Sequence, residues 1–146
     1  MSDYKPSMIE IYKWDQGIVL QDISLIAFDK DTRKIQAIGY DARDITDPGV
    51  EIDCPLKNGQ IHDWHHAVKL FAYFLSRTWK TRLKRPKVAV CMAGNATDQE
   101  RTAMKEAMES CGAKKIILTE LPLEHFLHTT NKKACDLIIS IRNDEY

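Results

Sequence analysis

The sequence lacks an excess of charge of either sign, since 21 lysines and arginines balance 21 aspartates and glutamates. A net charge of zero therefore does not indicate binding to nucleic acid, and it does not attract the protein to an anionic membrane. No apolar run approaches the ~20 residues that a membrane-spanning helix needs. The N-terminus has neither the apolar core nor the cleavage site of a signal peptide. We expect a cytoplasmic protein that does not bind nucleic acid.

The sequence also lacks any C-x-x-C pair, although it contains four cysteines. Such wide spacing does not predict a zinc site or a disulfide framework. Two of the thiols fall on predicted core positions, where they pack as small apolar groups. We expect four reduced cysteines, at Cys54, Cys91, Cys111 and Cys135.

Two apolar runs in the second half of the chain flank an amphipathic segment. Val88 to Met92 and Lys115 to Thr119 are each too short for a helix and predict buried strands. Between them, Thr97 and Glu100 have the spacing of a capping box, and Gly112 is suited to the left-handed C-terminal cap of a helix. This order predicts a parallel strand–helix–strand unit. The apolar stripe of its helix consists of Met104, Ala107, Met108 and Cys111.

The N-terminal half predicts two antiparallel hairpins. The strands of the first are Met8 to Trp14 and Ile18 to Leu20, and those of the second are Ser24 to Phe28 and Lys34 to Gly39. Asp41 to Asp53 contains Pro48-Gly49 and is predicted to be a connection with one helical turn near its start.

The longest predicted helix runs from Asp63 to Lys80, and its apolar stripe is wide enough to cover a sheet. The stripe consists of Trp64, Ala67, Val68, Phe71, Phe74, Leu75 and Thr78. A group of basic residues follows, and a solvated helix end is its simplest interpretation, with an anionic lipid surface or an acidic partner as the alternative. These residues are Lys80, Arg82, Lys84, Arg85 and Lys87.

Three histidines, His62, His65 and His66, lie at the start of this helix. The spacing of His62 and His66, with Asp63 nearby, would allow a zinc site. Asp63 or His62 can instead cap the helix. Because no second group of cysteines or histidines lies close in sequence, we predict no metal here.

Four segments carry a resemblance to a known family: G-I-V-L-Q-D-I-S-L-I-A-F-D (17–29), I-Q-A-I-G-Y-D-A (35–42), C-P-L-K-N-G-Q-I-H-D-W (54–64) and R-P-K-V-A-V-C-M-A-G through T-D-Q-E-R and C-G-A to T-E-L-P (85–122). In this order they resemble the first large subdomain (IA) of the actin superfamily, and most of all that of the rod-shape-determining bacterial actins of the MreB type. The resemblance implies an α/β fold of the ribonuclease-H-like, actin-like ATPase class. Its mixed sheet would combine N-terminal antiparallel hairpins with parallel strands covered by helices, in one domain over residues 1–146. At 146 residues the chain has about half the length that a complete two-lobed actin-like ATPase would need.

The same resemblance implies two glycine phosphate loops, D-x-G-T and D-x-G-G-G-T, and a water-positioning residue just before a proline. Neither Met1 to Ser7 nor Asp136 to Tyr146 contains a glycine. Phosphate loops need glycine, because only a backbone without Cβ lets consecutive N–H groups approach a triphosphate. Leu121 stands before Pro122, while Glu120, one residue earlier, would point to the opposite face of a strand. We expect no ATP hydrolysis and no cofactor.

The remnant candidates for a nucleotide site are Asn95, Asp98 and Glu120, the first two near the turn where α/β ligands usually bind. We therefore predict a non-catalytic, cytoskeleton- or cell-shape-associated module that binds a protein partner, either an actin-like filament protein or a second copy of itself. The alternatives are half of an actin-like or chaperone-like ATPase that needs a partner chain, and a ribonuclease-H-like enzyme. The enzyme would need carboxylates that converge on a metal, which the spacing of Asp15, Asp29 and Asp136 does not indicate.

In the family, the strand that carries the first phosphate loop lies between the strands matched here by Met8 to Trp14 and by Val88 to Met92. The almost continuous apolar run of Asp136 to Arg142 predicts a strand that fills this central position. A helix over Pro122 to Thr129 would supply the crossover.

Overall fold

A five-stranded mixed sheet forms the centre of the protein, with a smaller three-stranded sheet and a short hairpin beside it. The computed structural model describes residues 5–81, 83–92 and 94–143. The elements are β1 Met8–Lys13, β2 Gly17–Ile23, β3 Ile26–Asp29, β4 Ile35–Ile38, α1 Tyr40–Arg43, β5 Val50–Asp53, β6 Leu56–Lys57, β7 Gln60–Ile61, α2 Trp64–Thr78, β8 Lys87–Cys91, α3 Asp98–Ser110, β9 Lys115–Thr119, α4 Leu123–Thr129 and β10 Leu137–Arg142.

The strands of the large sheet lie in the order β2-β1-β10-β8-β9. β1 is antiparallel to both β2 and β10, whereas β10, β8 and β9 are parallel to one another. The predicted first hairpin and the predicted parallel strand–helix–strand unit are both confirmed. The carboxyl ends of three parallel strands therefore meet at one edge of the sheet.

The last strand, β10, occupies the central position that the sequence predicted for it. Its register pairs Ile139 with Ile11 of β1 on one side and with Val90 of β8 on the other. Leu137, Ile138 and Ile139 are fully buried, as an apolar strand covered on both faces requires. Two hydrogen bonds at the start of β10 fix this register, from Lys87 N to Asp136 Oδ2 at 2.8 Å and from Asp136 N to Lys87 O at 2.7 Å.

Helices cover both faces of this sheet. On one face, apolar side chains of α2 and α3, such as Phe71 and Met104, pack against the odd-numbered side chains of β10. On the other face, Leu123 and Phe126 of α4 pack against Ile138 and β8. Alternate residues of β10 therefore belong to two different cores, which is why four of its six residues, Leu137, Ile138, Ile139 and Ile141, are apolar.

The helix boundaries follow the sequence signals closely. Thr97 and Glu100 form the predicted capping box, and Gly112 has the predicted positive φ, 109°. The predicted apolar stripe of α2 needs correction at its N-terminus, because Trp64 is 42% exposed while His66 and Leu70 are buried.

The smaller sheet, in the order β4-β3-β5, contains the confirmed second hairpin and one strand that the sequence analysis missed. Val50–Asp53 was predicted to be part of a connection, but it pairs antiparallel with β3. The short β6–β7 hairpin was also missed, although its turn, Asn58-Gly59, is a typical hairpin signal and both residues have positive φ. This smaller sheet brings Asp53 to the N-terminus of α2.

We predict that deleting residues 135–146 abolishes cooperative unfolding, because β1 and β8 would each lose a backbone partner inside the core. A buried unpaired backbone group costs about 1–3 kcal/mol, and a row of them exceeds the roughly 5–15 kcal/mol that stabilises a domain. Urea unfolding followed by circular dichroism measures the loss. A synthetic peptide of residues 135–143 should restore the transition and a scrambled peptide should not. A truncated chain that still unfolds cooperatively would contradict the central role of β10.

Candidate functional site

A cleft of about 320 Å³ lies where the carboxyl ends of the three parallel strands meet, the edge at which ligands of α/β proteins usually bind. Its floor is formed by the ends of β8 and β10, and its rim by the turn after β8 and the start of α4. The residues around it are Cys91, Met92, Gly94, Glu120, Leu121, Pro122, Leu123, Glu124, Ser140, Ile141, Arg142 and Asn143.

The end of β10 presents side chains to this cleft rather than a glycine loop. An Arg142 guanidinium N–H donates to Glu10 Oε1 of β1 over 3.1 Å. Glu10 is only 4% exposed, and its other carboxylate oxygen accepts a hydrogen bond from Gln21 of β2 at 2.8 Å. The guanidinium thus neutralises a buried carboxylate of the sheet.

The N-terminus of α3, beside the cleft, is closed by its own side chains. Thr97 Oγ1 accepts the Glu100 N–H at 3.1 Å, and Glu100 Oε1 accepts the Thr97 N–H at 2.7 Å. These are two of the N–H groups that could bind a phosphate at this helix start, and the Glu100 carboxylate adds a negative charge there. Asn95 and Asp98, two remnant candidates, are exposed on this turn and do not line the cleft.

The third remnant candidate, Glu120, does line the cleft, together with Glu124 of α4. Leu121, at the place of the water-positioning residue, is 39% exposed, and its backbone N–H donates to Thr119 Oγ1 at 3.1 Å. Its side chain has no group that could orient a water molecule. Two carboxylates at the rim would repel a triphosphate.

The described chain has no glycine where the resemblance places the first phosphate loop. β10 ends at Arg142 and is followed by Asn143, and both residues carry side chains, whereas a phosphate loop needs glycine. The adjacent helix start carries a capping box, and two of the three charged side chains around the cleft, Glu120 and Glu124, are acidic.

A second group of polar side chains lies at the start of α2, and it differs from the predicted histidine cluster. His66 is buried, with Nδ1 2.8 Å from Asp53 Oδ2 and 3.3 Å from Asp63 Oδ2. His62 and His65 are exposed and do not belong to this group of possible metal ligands. Sequence reasoning missed Asp53, because its contact with His66 depends on the unpredicted strand β5.

Asp63 has two roles in this group. Its Oδ1 accepts the His66 backbone N–H at 3.1 Å, which caps α2 as predicted. Burial opposes ionisation of the carboxyl group, but the hydrogen bond from His66 N and the adjacent His66 ring hold the pKa of Asp63 below its ordinary value. Asp63 is therefore ionised at neutral pH.

The three carboxylates considered for a ribonuclease-H-like enzyme do not converge. Asp29 Oδ1 accepts backbone N–H groups of its own turn, and Asp136 binds the backbone of Lys87. Asp15 lies in the β1–β2 turn. Among residues 5–81, 83–92 and 94–143, the one group that could hold a metal is Asp53, Asp63 and His66.

The basic segment after α2 surrounds a fully exposed apolar side chain. Leu83 is 99% exposed, and Lys80, Lys84 and Arg85 are exposed beside it. Arg82 lies outside the described residues. Lys87 belongs to β8, where its Nζ donates to Lys133 O at 2.8 Å. Within the described part of the chain, no helix is long and apolar enough to cross a membrane.

The mixed sheet, with helices on both faces, has the architecture of an actin-like α/β domain. Comparison with known proteins agrees, since the profile of the MreB/Mbl protein family matches residues 4–127. The chain belongs to the MreB/Mbl family. The predicted resemblance and fold class are thus confirmed.

Individual relatives show how much of the family this chain represents. It is 32% identical to the cell shape-determining protein Mbl of Bacillus cereus, over 82% of this chain and 37% of that protein. It is 31% identical to the cell shape-determining protein MreB of Escherichia coli, over 77% of this chain and 35% of that protein. The structure of MreB5 of Spiroplasma citri bound to ADP superposes with a TM-score of 0.68 at 26% identity, over 78% of this chain and 35% of that one. The matched region thus spans about a third of the length of these relatives.

We predict that Cys91 does not react with Ellman's reagent in the folded protein, although its residue lines the cleft. Burial raises the pKa of the Cys91 thiol to about 12, so that the reactive thiolate is scarce at neutral pH. Burial also raises the pKa of the other three thiols, and all four should react together when the protein unfolds in urea. Absorbance of the released thiolate measures both states. A fast native reaction that is lost in Cys91→Ser would contradict the prediction.

Proposed function

We propose that residues 1–146 form a single, non-catalytic actin-like domain that binds protein partners of the cell-shape cytoskeleton in the cytoplasm. The observation that supports this most directly is the end of β10. This strand takes the central position in which the resemblance places the first phosphate-loop strand, and it continues into Arg142 and Asn143.

The chemistry of the cleft supports the same conclusion. The guanidinium of Arg142 is engaged with Glu10, and Glu120 and Glu124 are the acidic groups at the rim. A triphosphate would have to overcome repulsion from these carboxylates without N–H donors from a loop or a free helix start. We therefore propose that the domain uses its actin-like shape and not nucleotide hydrolysis.

The edge strand β2 is the surface that we propose for the protein partner. In this strand Ile18 is 51% exposed and Val19 is 38% exposed. β2 pairs with β1 on one side and lies at the edge of the described sheet, so its other side can accept a further strand. The relatives are named for cell-shape determination, and the fitting partner is a full-length MreB- or Mbl-type protein or a second copy of this chain.

We predict that calorimetry with ATP and Mg²⁺ gives no binding at about 10 µM or tighter, which corresponds to ~7 kcal/mol.

Co-sedimentation with filaments of a full-length MreB-type protein, and sedimentation of the domain alone, test the proposed protein partner. Val19→Lys should weaken the association at least about tenfold, because a charge on an edge strand opposes pairing. Leu121→Lys is the matched control, since Leu121 is similarly exposed, 39%, at a different edge of the sheet.

Tight ATP binding would contradict the proposal that the domain is non-catalytic. A chain that stays monomeric and does not sediment with filaments would contradict the proposal of a protein partner.

A contact with anionic lipid is a second candidate function, favoured by the exposure of Leu83. An apolar side chain that extends fully into solvent between basic residues suits a lipid surface, where the leucine is buried and each basic residue adds about 1 kcal/mol. The basic side chains described beside it are Lys80, Lys84 and Arg85.

We predict that the chain sediments with vesicles that contain phosphatidylglycerol and not with pure phosphatidylcholine vesicles. Leu83→Ser should weaken this binding about tenfold, because burial of a leucine contributes roughly 1.5–3 kcal/mol. Leu121→Ser is the control, with an exposed leucine outside the basic segment. If both variants bind the vesicles equally well, Leu83 does not contribute to the lipid contact.

A further inference from the structure

Asp53, Asp63 and His66 bring three metal-binding atoms together from two parts of the fold. Asp53 ends β5 of the smaller sheet, whereas Asp63 caps α2 and His66 lies in its first turn. The donor atoms all lie within 4.8 Å of one another, and His66 Nδ1 is 2.8 Å and 3.3 Å from the two carboxylate oxygens. A single ring nitrogen thus faces two carboxylates.

This group contains more negative than positive charge when both carboxylates are ionised. Even a protonated imidazole offsets the charge of only one of the two carboxylates. Among residues 5–81, 83–92 and 94–143, no lysine or arginine forms an ion pair with Asp53 or Asp63. Two carboxylates this close repel each other unless a proton or a cation lies between them.

The same group is held in place by contacts that do not use the three proposed ligand atoms. Asp63 Oδ1 is occupied by the His66 backbone N–H, so the carboxylate is oriented with Oδ2 towards the imidazole. The ring of Phe28 packs against this imidazole, with 4.9 Å between the ring centroids. The backbone before the helix is fixed as well, because Pro55 O accepts the N–H groups of His62 and Asp63. A metal would meet ligands that are already ordered.

We propose that Asp53 Oδ2, Asp63 Oδ2 and His66 Nδ1 bind a divalent transition metal ion, with Zn²⁺ as the ion that fits best. Zn²⁺ takes imidazole nitrogen and carboxylate oxygen at about 2.0–2.2 Å, which places tetrahedral ligand atoms roughly 3.3 Å apart. The two separations from His66 Nδ1, 2.8 Å and 3.3 Å, are close to that value, and the two carboxylate oxygens lie within 4.8 Å of each other. The ion would replace the hydrogen bond between His66 Nδ1 and Asp53 Oδ2. The fourth position is left for water.

The bound ion would connect the smaller sheet to the helix that covers the large sheet. β5 and α2 belong to different layers, and the metal would bridge them through Asp53 on one side and Asp63 and His66 on the other. Because the folded chain presents all three ligands and the unfolded chain does not, binding stabilises the fold.

The test is a titration of the purified, chelator-treated chain with ZnCl₂, and separately with CoCl₂, at neutral pH. We expect one Zn²⁺ per chain by calorimetry, a rise of roughly 5–10 °C in the unfolding temperature at about a hundredfold excess over Kd, and visible absorption bands of tetrahedral Co²⁺. No heat, no thermal shift and no Co²⁺ bands would overturn the proposal.

Single substitutions distinguish Zn²⁺ binding at this site from adventitious Zn²⁺ binding to surface histidines. Asp53→Asn removes one anionic ligand, keeps the side-chain shape and leaves the cap of α2 intact, and it should weaken Zn²⁺ binding at least about tenfold. His66→Gln is the second variant and should abolish the Co²⁺ bands. His62→Ala and His65→Ala are the controls, since both histidines are exposed in the same segment. Binding that is unchanged in Asp53→Asn but lost in either control would overturn the assignment.

Discussion

Backbone pairing at the centre of the large sheet is the constraint on which the rest of the structure depends. β1 and β8 do not pair with each other, and both pair with β10. Without a strand between them, two rows of buried N–H and C=O groups would lack partners, at about 1–3 kcal/mol for each group. This cost explains why a strand occupies the position, while the helices that cover both faces explain why most of its side chains are apolar. It also explains the crossover through α4 and the hydrogen bonds between Asp136 and Lys87 that fix its start.

The same strand links the fold to the chemistry of the cleft. Because β10 is parallel to β8 and β9, its carboxyl end points to the edge where a ligand would bind. Backbone pairing constrains only the residues within the strand. It does not require glycine at the positions that follow the strand. Arg142 stands at that end and neutralises the buried Glu10 instead. The strand thus takes the central position of the actin-like sheet and ends in a residue that is paired with a buried carboxylate.

The parts of the fold that could be predicted from sequence are those with local signals. The Val-rich run of β8, the capping box at Thr97 and the positive φ at Gly112 each follow from a few neighbouring residues. β5 was missed because V-E-I-D is short, follows Pro48-Gly49 and pairs only with the distant β3. The group of possible metal ligands around His66 could not be predicted from sequence for the same reason. Histidines adjacent in sequence suggested a site, but tertiary structure exposes His62 and His65 and joins His66 to Asp53.

The contact between Asp53 and His66 also shows how the smaller sheet is held to the rest of the protein. The core of this sheet, around Leu25 and Ala27, is separate from the core under α2. Phe28, on the next position of β3, turns to the opposite face and joins the α2 core, where its ring meets His66. Apolar side chains of the smaller sheet, such as Phe28 and Ile26, and the polar group at His66 therefore both attach this sheet to α2. A charge added to or removed from the polar group would change how firmly the two layers are joined, while the packing of Phe28 would keep them in register.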